Sequence, residues 1–443
     1  MGRASYIGRF GYDFRSKYLI EATLRYDASA RYSEETRWGL FPSISLGWRI
    51  AEEQFIRNNA PFLSNLKLRL SASQTGDDSV AMFQYLSGYE YGARYILGGT
   101  PSTGLRSTGI ANPGLTWESM NIYNAGLDFG LWDRLLYGEF DVFYRERNGI
   151  PANRLTTLPT TFGAALPQEN LNSLNNRGFE LLLGHAGSSG NFKWDINANI
   201  SWSREKWNHY EEAMPTDPDE IRINTKSGKW TDIEYGYKAD GLFTTQDEIN
   251  QLKYTYDANV DLKPGDVKYI DVNGDGIVNW RDQVEIGKGT IPHWMTGINT
   301  NLAYKGFDLS ALFQGAFGYY MALNTALNFS ETFYRERWST ANNDKNAIFA
   351  RNGGAASNSW KSNFNYHSAN YLRLKTLSVG YQLPAKWLEP AHIQSLRIYF
   401  AGTNLFTVSR LNKYNADPEA LSGFMDRYYP LMQTFSFGLN ISL

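Results

Sequence analysis

The residues with the most pointed chemistry lie in one run, Asp271-Val272-Asn273-Gly274-Asp275-Gly276-Ile277-Val278-Asn279-Trp280-Arg281-Asp282. Counted from Asp271, oxygen-bearing side chains recur at the first, third, fifth, ninth and twelfth places, and Gly276 holds the sixth. That is the spacing of a calcium loop, in which a hard Ca²⁺ ion collects about six to eight oxygens around a sharp glycine turn. In this reading Asp271, Asn273 and Asp275 offer side-chain oxygens and Ile277 its backbone carbonyl. Asn279 binds directly or through water, and Asp282 supplies a carboxylate of shorter reach than the more usual glutamate. Asn-Gly and Asp-Gly are also ordinary turn formers, so the run reads too as a metal-free tip built of Asx turns. Filled, the site would brace the surrounding chain and would not catalyse.

Little else in the sequence supports reaction chemistry, and no catalytic residue is assigned. No Gly-rich phosphate loop opens a helix and no Gly-x-Ser-x-Gly elbow occurs. The pair Glu211-Glu212 sits in polar loop sequence and reads as solvated. There is no cysteine, which excludes disulfides, thiolate zinc sites and a Cys nucleophile, and the five histidines are far apart. With 43 basic against 45 acidic residues the net charge is -2, which gives no electrostatic case for nucleic acid.

The elements that must carry such a loop are strands. From Lys17 to Asp27, Tyr18, Ile20, Ala22, Leu24 and Tyr26 alternate with Leu19, Glu21, Thr23, Arg25 and Asp27. Phe192, Trp194, Ile196, Ala198 and Ile200 alternate with Lys193, Asp195, Asn197, Asn199 and Ser201, and the pattern returns in Phe435-Ser436-Phe437-Gly438-Leu439. A period of two sustained this long means strands with one apolar and one polar face. Thirteen such segments are expected, at 5–14, 18–31, 38–50, 64–76, 115–130, 135–147, 174–187, 191–203, 293–304, 307–318, 369–382, 395–408 and 431–443. They meet the ~9–11 residues that a tilted strand needs to cross a membrane, whereas strands of soluble proteins run to ~5–6.

The connections alternate in length. Residues 15–17, 51–63, 131–134, 188–190, 305–306 and 383–394 form the shorter set, and 32–37, 77–114, 148–173, 204–292, 319–368 and 409–430 the mostly long one. Outer-membrane barrels pair short periplasmic turns with long extracellular loops. The expected fold is therefore an all-β, antiparallel transmembrane β-barrel with long extracellular loops. Trp38, Trp48, Trp117, Trp132, Trp202, Trp294 and Trp387 lie near the expected strand ends, where interfacial aromatic girdles form. Inward-facing polar residues (Arg25, Glu139, Asp141, Arg145, Asp195, Asn197, Asn199) read as lumen lining. An odd strand count puts the termini on opposite sides, with the C-terminus periplasmic. It leads to the expectation that the chain is about 13 strands of a larger barrel, with further strands upstream.

A set of ordered blocks resembles one family. They include Tyr18-Leu19-Ile20-Glu21-Ala22-Thr23-Leu24-Arg25-Tyr26-Asp27, Trp38-Gly39-Leu40-Phe41-Pro42-Ser43, Asn112-Pro113-Gly114-Leu115-Thr116-Trp117-Glu118 and Asn176-Arg177-Gly178-Phe179-Glu180-Leu181. Further along come Asp240-Gly241-Leu242-Phe243, Pro264-Gly265-Asp266-Val267-Lys268-Tyr269, Leu374-Lys375-Thr376-Leu377-Ser378-Val379-Gly380-Tyr381, Gly402-Thr403-Asn404-Leu405-Phe406 and Asp417-Pro418-Glu419. Over essentially its whole length the chain resembles the C-terminal barrel portion of SusC/RagA-family TonB-linked outer-membrane proteins, although it ends in Leu443 where many barrels end in an aromatic residue.

The resemblance implies import of oligosaccharides or peptides with a SusD-like surface lipoprotein, in contact with outer-membrane lipid. It also implies that TonB acts only through an N-terminal plug domain, which has no counterpart in residues 1–443. The aromatic loops 77–114 and 319–368 would stack on sugar rings, line a peptide path or pack on each other. A second reading is an extracellular all-β glycan-binding protein with a calcium-stabilised loop. It requires the apolar faces to be buried between two sheets.

Overall fold

The computed structural model describes residues 2–155, 164, 166–257, 260–323, 331–420 and 431–442. Parts of the expected loops 148–173, 319–368 and 409–430, together with Leu443, lie outside the described residues. All thirteen expected strands form, and they assemble into one sheet in chain order. They are β1 (Arg3–Phe14), β2 (Tyr18–Ser29), β3 (Trp38–Arg49), β4 (Leu63–Asp77), β5 (Glu118–Leu131), β6 (Leu136–Asn153), β7 (Gln168–Ser189), β8 (Phe192–His209), β9 (Trp294–Tyr304), β10 (Phe307–Phe317), β11 (Tyr371–Gln382), β12 (Ser395–Ser409) and β13 (Thr434–Ser442). Each pairs antiparallel with the next. Among the described residues the shortest has 9 residues and the longest 22.

Register aligns the apolar rows into one continuous band. Tyr12 faces Ile20, Ile20 faces Leu46, and Leu46 faces Leu70. At the other end Leu309 faces Val379, Val379 faces Phe400, and Phe400 faces Phe437. Among the described residues no second sheet covers this band. Phe10 is 62% exposed and Phe437 85%. A sandwich would have buried these side chains, so the second reading fails on this point; a bilayer gives them an apolar solvent.

Three strands run further than the alternation predicts. β6 extends to Asn153, β7 starts at Gln168, and β8 continues to His209. Their added residues are mostly polar, as in Gln168-Glu169-Asn170 and Arg204-Glu205-Lys206. Once a strand rises above the apolar band it keeps its backbone ladder (Glu205 opposite Asn176, for instance) but has no reason to alternate. The alternation therefore marks the band and not the strand. At the opposite end Lys305-Gly306, with φ of 46° and 90°, joins β9 to β10 in the left-handed turn that matches strand twist.

Candidate functional site

Two features have the makings of a site: the inner face of the sheet, and the structure that the long connections build above it.

The inner face carries charge held flat against the wall. Arg69 of β4 donates from Nε to Asp128 Oδ1 of β5 at 2.9 Å, and from Nη2 to Asp141 Oδ2 of β6 at 2.6 Å. It passes over Gly126, where a Cβ would come within 2.5 Å of Asp141 Oδ1 and 2.7 Å of the Arg69 Cζ. The device recurs in mirror order. Arg397 of β12 reaches Asp308 of β10 through Nε at 2.8 Å, across Gly380 of β11, whose Cβ would sit 2.5 Å from that Nε. A third case is neutral: the Tyr137 hydroxyl of β6 donates to Asp195 of β8 at 3.3 Å over Gly184 of β7. A glycine inside a strand costs order, and the return here is close approach of a neighbouring side chain. Each bridge ties three strands and keeps long polar groups off the inner space. Asp141 and Asp195 were expected on this face; Gly126, Gly184 and Gly380 were not, although their position in strand interiors was the available signal.

At the long-loop end two excursions fold on each other. Leu242, Phe243, Tyr256, Val267, Tyr269 and Val278 of the first pack with Trp338 and Ala347 of the second in a core of their own. A fully buried carboxylate, Asp266, is their shared anchor. It accepts from Arg351 Nε at 2.8 Å and Nη2 at 3.2 Å, from Ala355 N at 3.0 Å, from Asn358 Nδ2 at 2.9 Å and from Lys263 N at 2.8 Å. A second core joins Tyr319, Met321, Ala369 and Tyr371 to Leu411 and Tyr414. There the buried Arg373 of β11 donates to both Asp417 oxygens at 2.9 Å and pairs with Glu419. The Asp417-Pro418-Glu419 block thus clamps the chain that follows β12 back onto the wall.

Some loop aromatics pack the loops together and others are exposed. Trp338 is buried and Trp360 stacks on Tyr269 at 5.6 Å, so these pack the loops together. Tyr89, Tyr91 and Tyr95, on the hairpin Tyr89–Leu97 and Thr100–Ser107, are exposed. Glu211 and Glu212, expected to be merely solvated, hold chain in place. Glu212 accepts from Lys226 N at 2.6 Å and Ser227 N at 3.1 Å, and Glu211 from Leu155 N at 3.2 Å.

Residues Asp271 to Asp282 sit on the rim of the first core. Ile277 and Val278 pair in parallel with Thr255 and Tyr256. Asp271 accepts from Gly274 N at 2.7 Å and Gly276 N at 2.9 Å, and Asp275 from Ile277 N at 2.9 Å. Asp282 is buried and accepts from Val272 N at 2.7 Å and Asn279 N at 2.8 Å. Asn273 accepts from Asp275 N at 3.0 Å, and Asn279 caps Arg281 N at 2.8 Å. Arg281 in turn pairs with Asp217 at 2.9 Å, ahead of the short helix Pro218–Asn224. The donor set is all hard oxygen, and the Asp271 carboxylate oxygens each keep a lone pair beyond the one amide they accept from, whereas Asp282 Oδ1 takes two amides, from Val272 and Asn273. Among the described residues, no three acidic or histidine side chains converge as they would around an ion.

His367 lies on the short strand Tyr366–Ser368 and stacks on Tyr414 at 4.5 Å. Burial, then the charge of Lys413, pushes its imidazole down to about 4. Burial likewise pushes the Tyr414 hydroxyl up to about 12. An imidazole that stays neutral when folded but protonates near 6.5 when released lets the unfolded chain take up the extra proton. Stability is therefore complete above about pH 6.5 and falls as pH drops toward 4. The loss expected is about 1–3 kcal/mol in the packing of this segment. With the intrinsic slowing of amide exchange at lower pH divided out, the protection factors of residues 364–369 should fall over that range, and His367→Phe should flatten the dependence. Protection factors in the parent that ignore pH between 7 and 4.5 would contradict it.

Comparison with known proteins decides the family. Residues 5–405 match the family described as TonB dependent receptor-like, beta-barrel. The chain belongs to that family. It is 30% identical to the TonB-dependent receptor SusC of Bacteroides thetaiotaomicron over 99% of its own length and 43% of that protein's. It is 28% identical to the TonB-dependent receptor P26 of Formosa agariphila, over 99% of this chain and 46% of the other. The RagAB peptide importer in its open-open state superposes with a TM-score of 0.76 at 21% identity, covering all of this chain and 47% of that one. The chain thus spans about half the length of the curated relatives it matches. The resemblance to the SusC/RagA family and the barrel fold are borne out, and the family is one of outer-membrane receptors.

Proposed function

We propose that residues 1–443 form barrel wall and loops of a TonB-dependent nutrient importer of the SusC/RagA type. The observation that carries this reading is the two-faced sheet: an unbroken apolar band outside, bridged charges flattened inside, in a chain matching SusC along its whole length. In this reading the long connections face the cell exterior under a SusD-like lipoprotein, and the C-terminal end of β13 faces the periplasm. Oligosaccharides or peptides pass along the inner face, and TonB acts through a plug domain. The test is uptake of labelled maltooligosaccharide and of labelled peptide mixtures by cells carrying or lacking the gene. Uptake of one class that requires both the gene and TonB is expected; uptake of neither would remove the importer reading.

The same reading gives Asp271, Asn273, Asp275, Ile277, Asn279 and Asp282 a use as a Ca²⁺ brace for residues 204–292. Support comes from their spacing and from their position beside Thr255 and Tyr256. Terbium, a luminescent stand-in for Ca²⁺, should be sensitised by the adjacent Trp280. The signal should be displaced by millimolar Ca²⁺ and lost in Asp271→Asn with Asp275→Asn. Protease cleavage within 204–292 that is indifferent to chelator, with no terbium signal, would leave the loop metal-free.

A further inference from the structure

Between the two loop cores lies a cavity of about 350 Å³, and aromatic rings form part of its wall. Phe333 meets Phe349 edge to face at 5.4 Å, Phe349 meets Tyr414 edge to face at 5.7 Å, and Tyr414 carries His367 stacked at 4.5 Å. Leu323 and Phe364 also line it. The remaining wall is the small-residue run 352–356, which Asp266 holds through Arg351, Ala355 N and Asn358. Gly354 in that run has no room for a side chain, since a Cβ would lie 2.1 Å from Asn358 Nδ2. The wall is therefore fixed in place before any ligand arrives.

Three of the polar side chains that line the cavity are already paired within the wall. The Arg351 guanidinium is matched by Asp266 and by the Gly353 carbonyl at 3.2 Å. Asn358 gives its amide to Asp266 and accepts from Val267 N at 2.8 Å. Asn365 donates to the Trp360 carbonyl at 2.8 Å and accepts from Ser362 N at 3.0 Å. Among the described residues no aspartate, glutamate or lysine lines it.

We propose that this cavity binds one uncharged aromatic ring, either free or as the side chain of a short peptide. The volume is within the range of small-ligand pockets, about 300–1,000 Å³. The rings of Phe333, Phe349, Phe364 and Tyr414 in its wall suit another ring, which gains offset and edge-on contacts beyond its buried area. A sugar ring would bury hydroxyls against ring faces and against the already paired side chains of Arg351, Asn358 and Asn365. An ion would lose its hydration with no counter-charge to replace it. This reading of the cavity does not depend on import, because binding is measured without transport.

Calorimetry on the full chain in lipid nanodiscs tests it; detergent would compete for an apolar cavity. Indole and N-acetylphenylalaninamide serve as probes, with glucose and N-acetylalaninamide as controls. Saturable binding of indole is expected with a Kd on the order of 0.1–1 mM, a weak value appropriate to so few atoms. Binding of N-acetylphenylalaninamide as well identifies a peptide side chain as the source, and binding of indole alone identifies a free aromatic. Either result supports the proposal. Ala356→Trp and Ser359→Trp, both at exposed lining positions, should weaken ring binding about tenfold or more while the barrel keeps its heat-modifiable migration. No binding of either ring, equal binding of the controls, or binding unchanged in both filled variants would overturn it.

Discussion

Ile298→Arg should block assembly of the barrel, while Asn299→Arg, one residue along the same strand, should leave it folding. Ile298 lies mid-way along β9 on the apolar face, opposite Ala198 on one side and Phe313 on the other. It is 39% exposed because no protein group covers it, and on this fold the cover is lipid. A charge at that depth must be dehydrated or must thin the bilayer, at a cost of about 2–4 kcal/mol in a barrel strand. Asn299 points to the other face. It stands opposite Asn197 and Leu312, among the polar residues of the inner surface, where an arginine meets water and neighbouring carboxylates. Heat-modifiable migration after membrane extraction reads both variants. Equal tolerance of the two would mean that the apolar band does not meet lipid, and a strong defect in Asn299→Arg alone would mean that the faces have been exchanged.

That contrast explains why so much of the sheet could be read without a structure. A strand between lipid and an aqueous interior is written in the sequence as strict alternation, because each residue experiences one solvent or the other. The reading failed only where the solvent is the same on both faces, as in the polar continuations of β6, β7 and β8. The bridges were hidden for a different reason. Gly126 acquires its purpose from Arg69 and Asp141, which sit on the strands either side of it, and no local pattern states that they will meet. At the loop end, Pro264-Gly265-Asp266 stood out in the chain, but Asp266 finds Arg351 across 85 residues and the second excursion. The Asp271–Asp282 spacing was legible. Both of its readings, calcium loop and Asx-turn tip, call on the same side-chain oxygens, and the backbone amides that Asp271 and Asp275 accept from are those of the second.

Asp266→Ala should loosen the loop architecture without disturbing the wall beneath it. The carboxylate is fully buried and offsets the Arg351 guanidinium, which is itself only partly exposed. Removing one member of such a pair strands the other charge, and costs about 3–5 kcal/mol, more than deleting both together. It would also release Ala355 N, Lys263 N and the Asn358 amide, each of which depends on the same two oxygens. The thirteen-stranded sheet does not use Asp266, so heat-modifiable migration should be unchanged. Limited proteolysis should instead open sites within residues 233–288 and 337–366 together, because the two excursions share one core. Asp266→Asn should fall between, keeping shape and some bonds but not the charge. The double variant Asp266→Asn with Arg351→Met should recover much of the loss, since it leaves no uncompensated ion in the core. Cleavage confined to one excursion, or a double variant no better than Asp266→Ala, would mean that the loops are joined by their aromatic packing and that the buried pair is incidental to it.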